Sequence, residues 1–181
     1  SDYDRAIEYL TAILPFQMLE YPATEEFNGW VIPPKWDVIE AKIKKDGNVI
    51  YDGTRHALSV IVLSREFSGA VSLEELRKHL YYDHRYDDAI PYHFRQEYRS
   101  WERDWGFCVT KKFYDSLTPG DYNVVIRTRE SEGVLKVLDY TQKGELEETI
   151  VFAAHLDHPG MANDDLAGCA AVRAGDRHRH D

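Results

Sequence analysis

Apolar residues recur at three- and four-residue steps at the start of the chain: Tyr3, Ala6, Ile7, Leu10, Ile13 and Leu14, behind Asp2 and Asp4. That period lines one face of a helix, and acids at its beginning suit the positive end of the helix dipole. Pro15 closes or kinks the helix, because proline has no backbone donor to continue the ladder. The helix is read as a packing element without a catalytic role. From Tyr21 to Asp37 the pattern breaks up around Pro22, Gly29, Pro33 and Pro34, with Trp30 and Trp36 between them. Such punctuation predicts an extended crossing into a separate module.

Alternation follows. Over residues 36 to 44 the order Asp37-Val38-Ile39-Glu40-Ala41-Lys42-Ile43 puts Ile39, Ala41 and Ile43 on one face of a strand, and Asp46-Gly47 supplies a hairpin turn before Val49-Ile50-Tyr51. Residues 56 to 64, with the apolar centre Val60-Ile61-Val62-Leu63, predict a third strand and hence a small antiparallel sheet. Ser72-Leu73-Glu74-Glu75 has the form of a capping box. A helix from 73 to about 81 should follow, burying Leu73, Leu76 and Leu80. Residues 82 to 107 are rich in aromatics and histidines, among them His84, Tyr86, Tyr92, His93, Trp101 and Trp105. They fit a solvated loop pinned by aromatic anchors, or a cleft in which Arg95 or Arg99 holds a carboxylate. After a turn at Thr118-Pro119-Gly120-Asp121 come strands over 122 to 128, 133 to 140 and 149 to 156. The last, Ile150-Val151-Phe152-Ala153-Ala154, is apolar on both faces, the mark of a central strand covered by helices.

Composition narrows the classes. Of 181 residues 43% are hydrophobic and 30% charged, which is ordinary for a folded protein and far from disorder. The net charge of −10 disfavours nucleic acid and anionic membrane as partners, since both require clustered Lys and Arg. The two cysteines, Cys108 and Cys169, fit no metal or disulfide spacing. With no apolar run of membrane-spanning length and no leader-like start, the expectation is a cytoplasmic protein.

The chemistry gathers where the last apolar run breaks into His155-Leu156-Asp157-His158, followed by Asn163-Asp164-Asp165 and the small-residue pattern Leu166-Ala167-Gly168-Cys169-Ala170-Ala171. This reads as a strand end facing a helix start, the place where α/β enzymes keep their sites. Imidazole nitrogen and carboxylate oxygen are both zinc donors, although one His and one Asp alone do not hold a metal. The pattern H-x-D followed by N-D-D-x-A-G resembles the first two ligand blocks of the co-catalytic zinc aminopeptidases of the M28 class. It is closer still to the aminopeptidase-like DUF4910 family with its inserted DUF2172 segment. Further blocks in the same order extend the resemblance over nearly the whole chain: Trp30-Val31-Ile32-Pro33-Pro34-Lys35-Trp36, Ser72-Leu73-Glu74-Glu75-Leu76, Ile90-Pro91-Tyr92 and Trp105-Gly106-Phe107-Cys108.

The resemblance implies an α/β fold: a zinc-aminopeptidase-like core, a mixed sheet flanked by helices and incomplete at its C-terminus, carrying a small β-rich inserted domain. The core's first part would occupy residues 1–29, the insertion 30–95, and the core's continuation 96–181. His155 would bind one zinc and Asp164 would bridge two. Asp157, the one residue assigned to the catalytic set, would hydrogen-bond the His155 imidazole and fix its tautomer, and His158 is a further candidate ligand. No residue is assigned to substrate binding. The family's usual Cys two positions after the first His is here Asp157, and its usual Ser is here Ala167. In the peptidase class a general-base Glu and further ligands lie downstream, whereas no Glu follows Asp165. His178 and His180 are read as part of a solvated tail.

Two functions follow. One is a zinc-dependent hydrolase of a peptide or amide bond, present here as a truncated form or fragment that alone would be inactive, with a small peptide or amide as substrate. The other is a non-catalytic aminopeptidase-like binding module that has lost the base and the later ligands. An incomplete core would expose apolar surface, so self-association into a homo-oligomer is also expected.

Overall fold

In the computed structural model, residues 2–94, 96, 102–156 and 164–177 are described. The elements in chain order are helix α1 (Asp2–Thr11), strands β1 (Gln17–Pro22), β2 (Glu26–Phe27), β3 (Trp30–Val31), β4 (Lys35–Lys45) and β5 (Asn48–Asp52), a 3-10 turn at Gly53–Arg55, strand β6 (Phe67–Ser72) and helix α2 (Leu73–Lys78). They continue with β7 (Leu80–Tyr81), β8 (Phe107–Cys108), helix α3 (Lys111–Ser116), β9 (Asp121–Ser131), β10 (Val134–Asp139) and helix α4 (Leu166–Arg177). The result is a mixed α/β chain with several small sheets. It divides into two compact units, one made of residues 1–20 with 136–181 and the other of residues 21–135.

The second unit is built on a four-stranded sheet in the order β5-β4-β9-β6, antiparallel throughout. The alternation in β9 decides what the sheet buries. Tyr122, Val124 and Ile126 are at most 1% exposed, and they pack with Ala41, Ile43, Leu76, Leu80, Trp105, Phe107 and Val109 into one core. On β4 the expected face is only partly realised. Ala41 and Ile43 are fully buried but Ile39 is 50% exposed, because the register with β9 shifts between Val38 and Glu40. A bulge adds one residue, and side chains before and after it no longer share a face. The Asp46-Gly47 hairpin forms as expected, both residues taking positive φ (49° and 79°), a conformation glycine adopts without steric cost.

Two strand assignments need correction. Residues 56–64 form no strand beyond an isolated bridge between Val60 and Phe107. Val60, Ile61 and Leu63 are buried all the same. Their segment hydrogen-bonds irregularly, Ile61 N–H to the Gly106 carbonyl (3.2 Å) and Val62 N–H to that of His93 (3.3 Å). An unbroken apolar run reports burial, not the conformation adopted while buried. Residues 149–156 are likewise irregular, with Ile150, Val151 and Phe152 68–80% exposed. A strand needs neighbours to take its backbone donors and acceptors, and among the described residues no strand pairs with this run. Several elements were not foreseen: β1, the β2–β3 hairpin, the β7–β8 pair, α3, and β6, whose Gly69-Ala70 centre carries little strand signal.

The Ser72 cap is present, its Oγ accepting from the Glu75 amide at 3.2 Å, but α2 ends at Lys78 and Leu80 is buried from a strand instead. Glu75 does not turn back to the cap; it reaches forward to Lys78 (2.9 Å) and His79 (3.3 Å).

In the first unit, α1 buries Ile7, and the Tyr3 hydroxyl donates to the Lys136 carbonyl at 3.1 Å. Lys136 Nζ reaches Asp4 at 2.8 Å. β1 and β10 pair as a two-stranded sheet. Among the described residues no helix is long and apolar enough to cross a membrane.

Candidate metal site at the start of α4

The site lies in the first unit, where His155 ends the exposed apolar run and α4 begins at Leu166. Asp165 directly precedes the helix and joins the two segments. Its Oδ1 accepts from the Gly168 amide at 2.8 Å, the side-chain-to-third-amide bond of an N-cap, while Oδ2 accepts from the His155 amide at 3.3 Å. A Cβ on Gly168 would stand 2.3 Å from Asp165 Oδ1, so the carboxylate can seat only where residue 168 lacks a side chain. Cys169 sits one residue further on, its Sγ 3.9 Å from the His155 carbonyl. Partial burial, and secondarily the Asp165 charge, push its thiol up.

With Asp165 occupied as a cap, Asp164 is left to face the histidine. His155 Nε2 and Asp164 Oδ1 are 3.0 Å apart, and both side chains are about half exposed (45% and 49%). The peptide bond between Asp164 and Asp165 is cis. The structure thus brings His155 and Asp164 together, while Asp157 and His158 lie outside the described residues. Among the described residues no group of three or more His, Cys, Asp or Glu is placed to hold a metal ion. The pair's imidazole nitrogen and carboxylate oxygen are donor types that zinc accepts, and two donors alone do not complete a site. Ligands bonded at 2.0–2.1 Å around a tetrahedral ion stand about 3.3 Å from one another, close to the observed separation of these two donors. A half-exposed pair also leaves room for water.

His84 and His93 belong to the second unit, while His178 and His180 lie outside the described residues. His93 lies with its ring 4.1 Å from that of Tyr81 in the second unit, and His84 sits in an exposed loop. Arg95 and Arg99, considered for a substrate carboxylate, lie outside the described residues. Sequence reasoning singled out Asp164 through the family resemblance and gave Asp165 no role. The distinguishing signal was the three-residue step from Asp165 to Gly168, an acid at the cap position with no side chain where the cap must bond.

A family model described as a domain of unknown function, DUF2172, matches residues 35–129, more than half of the chain. The chain belongs to the DUF2172 family. That match covers the four-stranded sheet, α2 and α3, and leaves the His155–Asp164 pair outside it. Over a longer stretch this DUF2172 chain is 28% identical, across 169 residues, to a Clostridium acetobutylicum protein named "Putative polysaccharide biosynthesis protein with aminopeptidase-like domain". The alignment takes in 93% of the chain but only 38% of that relative's own length. Its fold is similar to the crystal structure of a "putative peptidase" from Clostridium acetobutylicum, with a TM-score of 0.76 and 28% identity over 94% of this chain and 40% of that one. In both comparisons the aligned part extends well beyond the DUF2172 segment, to include most of the first unit as well.

Proposed function

We propose that this chain carries the opening part of an M28-like, zinc-dependent aminopeptidase site that hydrolyses a peptide or amide bond, within the DUF4910 arrangement in which a DUF2172 segment is inserted. The observation that carries the reading is the 3.0 Å approach of His155 Nε2 to Asp164 Oδ1 at the start of a capped helix, in a chain whose relatives are named for an aminopeptidase-like domain and a peptidase.

His155 would present Nε2 as a neutral nitrogen donor, which requires its remaining proton on Nδ1. Asp157 is the group assigned to hold that proton and fix the tautomer. Asp164 would offer its carboxylate to one ion or between two, and His158 is the further ligand. Asp165 and Gly168 act by position: the cap keeps Asp164 turned toward His155. When bound, zinc supplies Lewis acidity toward a carbonyl oxygen and lowers the pKa of a coordinated water. The chain spans 38% of the curated relative it matches. The general base and remaining ligands are therefore assigned to polypeptide outside these residues, and the chain alone is expected to be inactive. The substrate class is a small peptide, or an amide borne on a sugar, the second in keeping with the polysaccharide biosynthesis in the relative's name.

The test is Asp164→Ala in a polypeptide extended to the relatives' length, assayed for release of an N-terminal amino acid. Loss of turnover with unchanged folding is expected; retained turnover overturns the mechanism. A second reading, a binding module without catalysis, draws on the aromatic segment, where Tyr82, Tyr86 and Phe94 are 37–59% exposed. It forbids stoichiometric zinc and any hydrolysis.

A further inference from the structure

His79 is the least expected polar residue of the second unit. Its side chain is 11% exposed, and its ring lies flat on the Trp105 indole, centroids 3.8 Å apart and planes 18° from parallel. The other face of Trp105 stacks on Phe67 of β6 at 4.2 Å. Each ring nitrogen of His79 meets acceptors. Nδ1 lies 3.0 Å from the Trp105 carbonyl and 3.2 Å from Asp104 Oδ2, and Nε2 lies 3.3 Å from Glu75 Oε1. A neutral imidazole has one donor and one lone pair. Whichever tautomer it took here, a lone pair would face oxygen in a site largely shielded from water, where an unmatched polar contact is costly.

We propose that His79 is an imidazolium in the folded chain and works as a proton-dependent latch, fastening the end of α2 to the segment that leads into β8. With both nitrogens protonated, the Trp105 carbonyl and Glu75 each receive a hydrogen bond, Asp104 faces the cation at 3.2 Å, and the cation lies over an indole face, the aromatic surface most favourable to it. Loss of either proton opens one side of the latch.

The surrounding charges are arranged to keep both carboxylates in place. From α2, Glu75 is shared with Lys78 at 2.9 Å, and its carboxyl is held below the usual range by the Lys78 hydrogen bond first and that of His79 second. From the segment before β8, Asp104 accepts from the Trp105 amide at 2.8 Å, and Arg65 from the segment before β6 reaches it at 3.5 Å. Each acid therefore has one exposed cation of its own, and His79 is the buried cation between them. The latch is complete while both ring nitrogens carry a proton and opens when either is lost, so this contribution to stability falls with rising pH.

The direct test is the ring-nitrogen NMR spectrum of His79 in the intact chain at about pH 7. Protons on both nitrogens are expected, and a single neutral tautomer overturns the proposal. The second readout is thermal unfolding from about pH 5 to about pH 8 in wild type and His79→Phe, which keeps a ring on Trp105 but has no ring protons. The wild-type midpoint should fall by about 2–4 °C more than that of the variant. Equal slopes in the two proteins would also overturn it. Should His79→Phe fail to fold, Glu75→Gln, which leaves the stack intact, must reduce the wild-type slope.

Discussion

His155 Nε2 and Asp164 Oδ1 stand 3.0 Å apart, and the carboxylate next in sequence, Asp165, caps α4 instead. Two adjacent acids thus have opposite tasks. Asp165 spends both oxygens on backbone amides, those of Gly168 and His155. Asp164 is the one turned toward the imidazole.

Removing the cap should therefore loosen the site without touching a ligand. Asp165→Ala is expected to cost about 1 kcal/mol, the usual loss for an N-cap acid. Hydrogen exchange should quicken at the first turn of α4 and at the His155 amide. Gly168→Ala should produce the same local change by displacing the carboxylate, since its Cβ would otherwise stand 2.3 Å from Asp165 Oδ1. Unchanged exchange in both variants would contradict the capping role.

The bulge in β4 makes a contrast between two isoleucines that look equivalent in the sequence. Ile43→Ala should destabilise by about 2–5 kcal/mol, the range for truncating a fully buried aliphatic residue. Ile39, half exposed after the register shift, should tolerate the same change within about 0.5 kcal/mol. Denaturant midpoints of the two variants decide it, and similar losses would mean that the strand runs without the bulge.

The cysteines should differ in reactivity for the same physical reason, with different force. Burial pushes the Cys108 thiol up to about 12, and the residue is fully buried. It should resist alkylation at all pH values where the fold survives, because the thiolate is the nucleophile. Cys169 is partly accessible, and its thiol is raised less. Its labelling should be slow at neutral pH and accelerate as pH rises. Mass spectrometry of the natively alkylated chain should find the label on Cys169 alone; label on Cys108 before unfolding would contradict the packing.

Local signals were the legible ones. The Ser72 cap, the Asp46-Gly47 turn and the strand over 122 to 128 each depend on a few neighbouring residues, and each appears in the structure. Where conformation depends on distant partners the pattern misleads. Val60-Ile61-Val62-Leu63 is apolar because it is buried, and its backbone bonds to Gly106 and His93 replace a ladder. Ile150-Val151-Phe152 has strand-like residues and no strand beside it among the described residues. At the site, ligand chemistry and family resemblance selected His155 and Asp164 from the sequence. They did not reveal that Asp165 was a cap, because an acid that bonds amides and an acid that faces an imidazole are spelled alike.

The measurement that bears most directly on the central claim is zinc content by elemental analysis after exhaustive dialysis, for a polypeptide extended to the relatives' length, as wild type and as a His155→Ala, Asp164→Ala double variant. The account predicts about one zinc or more per wild-type polypeptide, held once the remaining ligands are present, and its loss in the variant. Wild-type protein without zinc, or equal zinc in both proteins, would contradict the assignment of His155 and Asp164 as metal ligands.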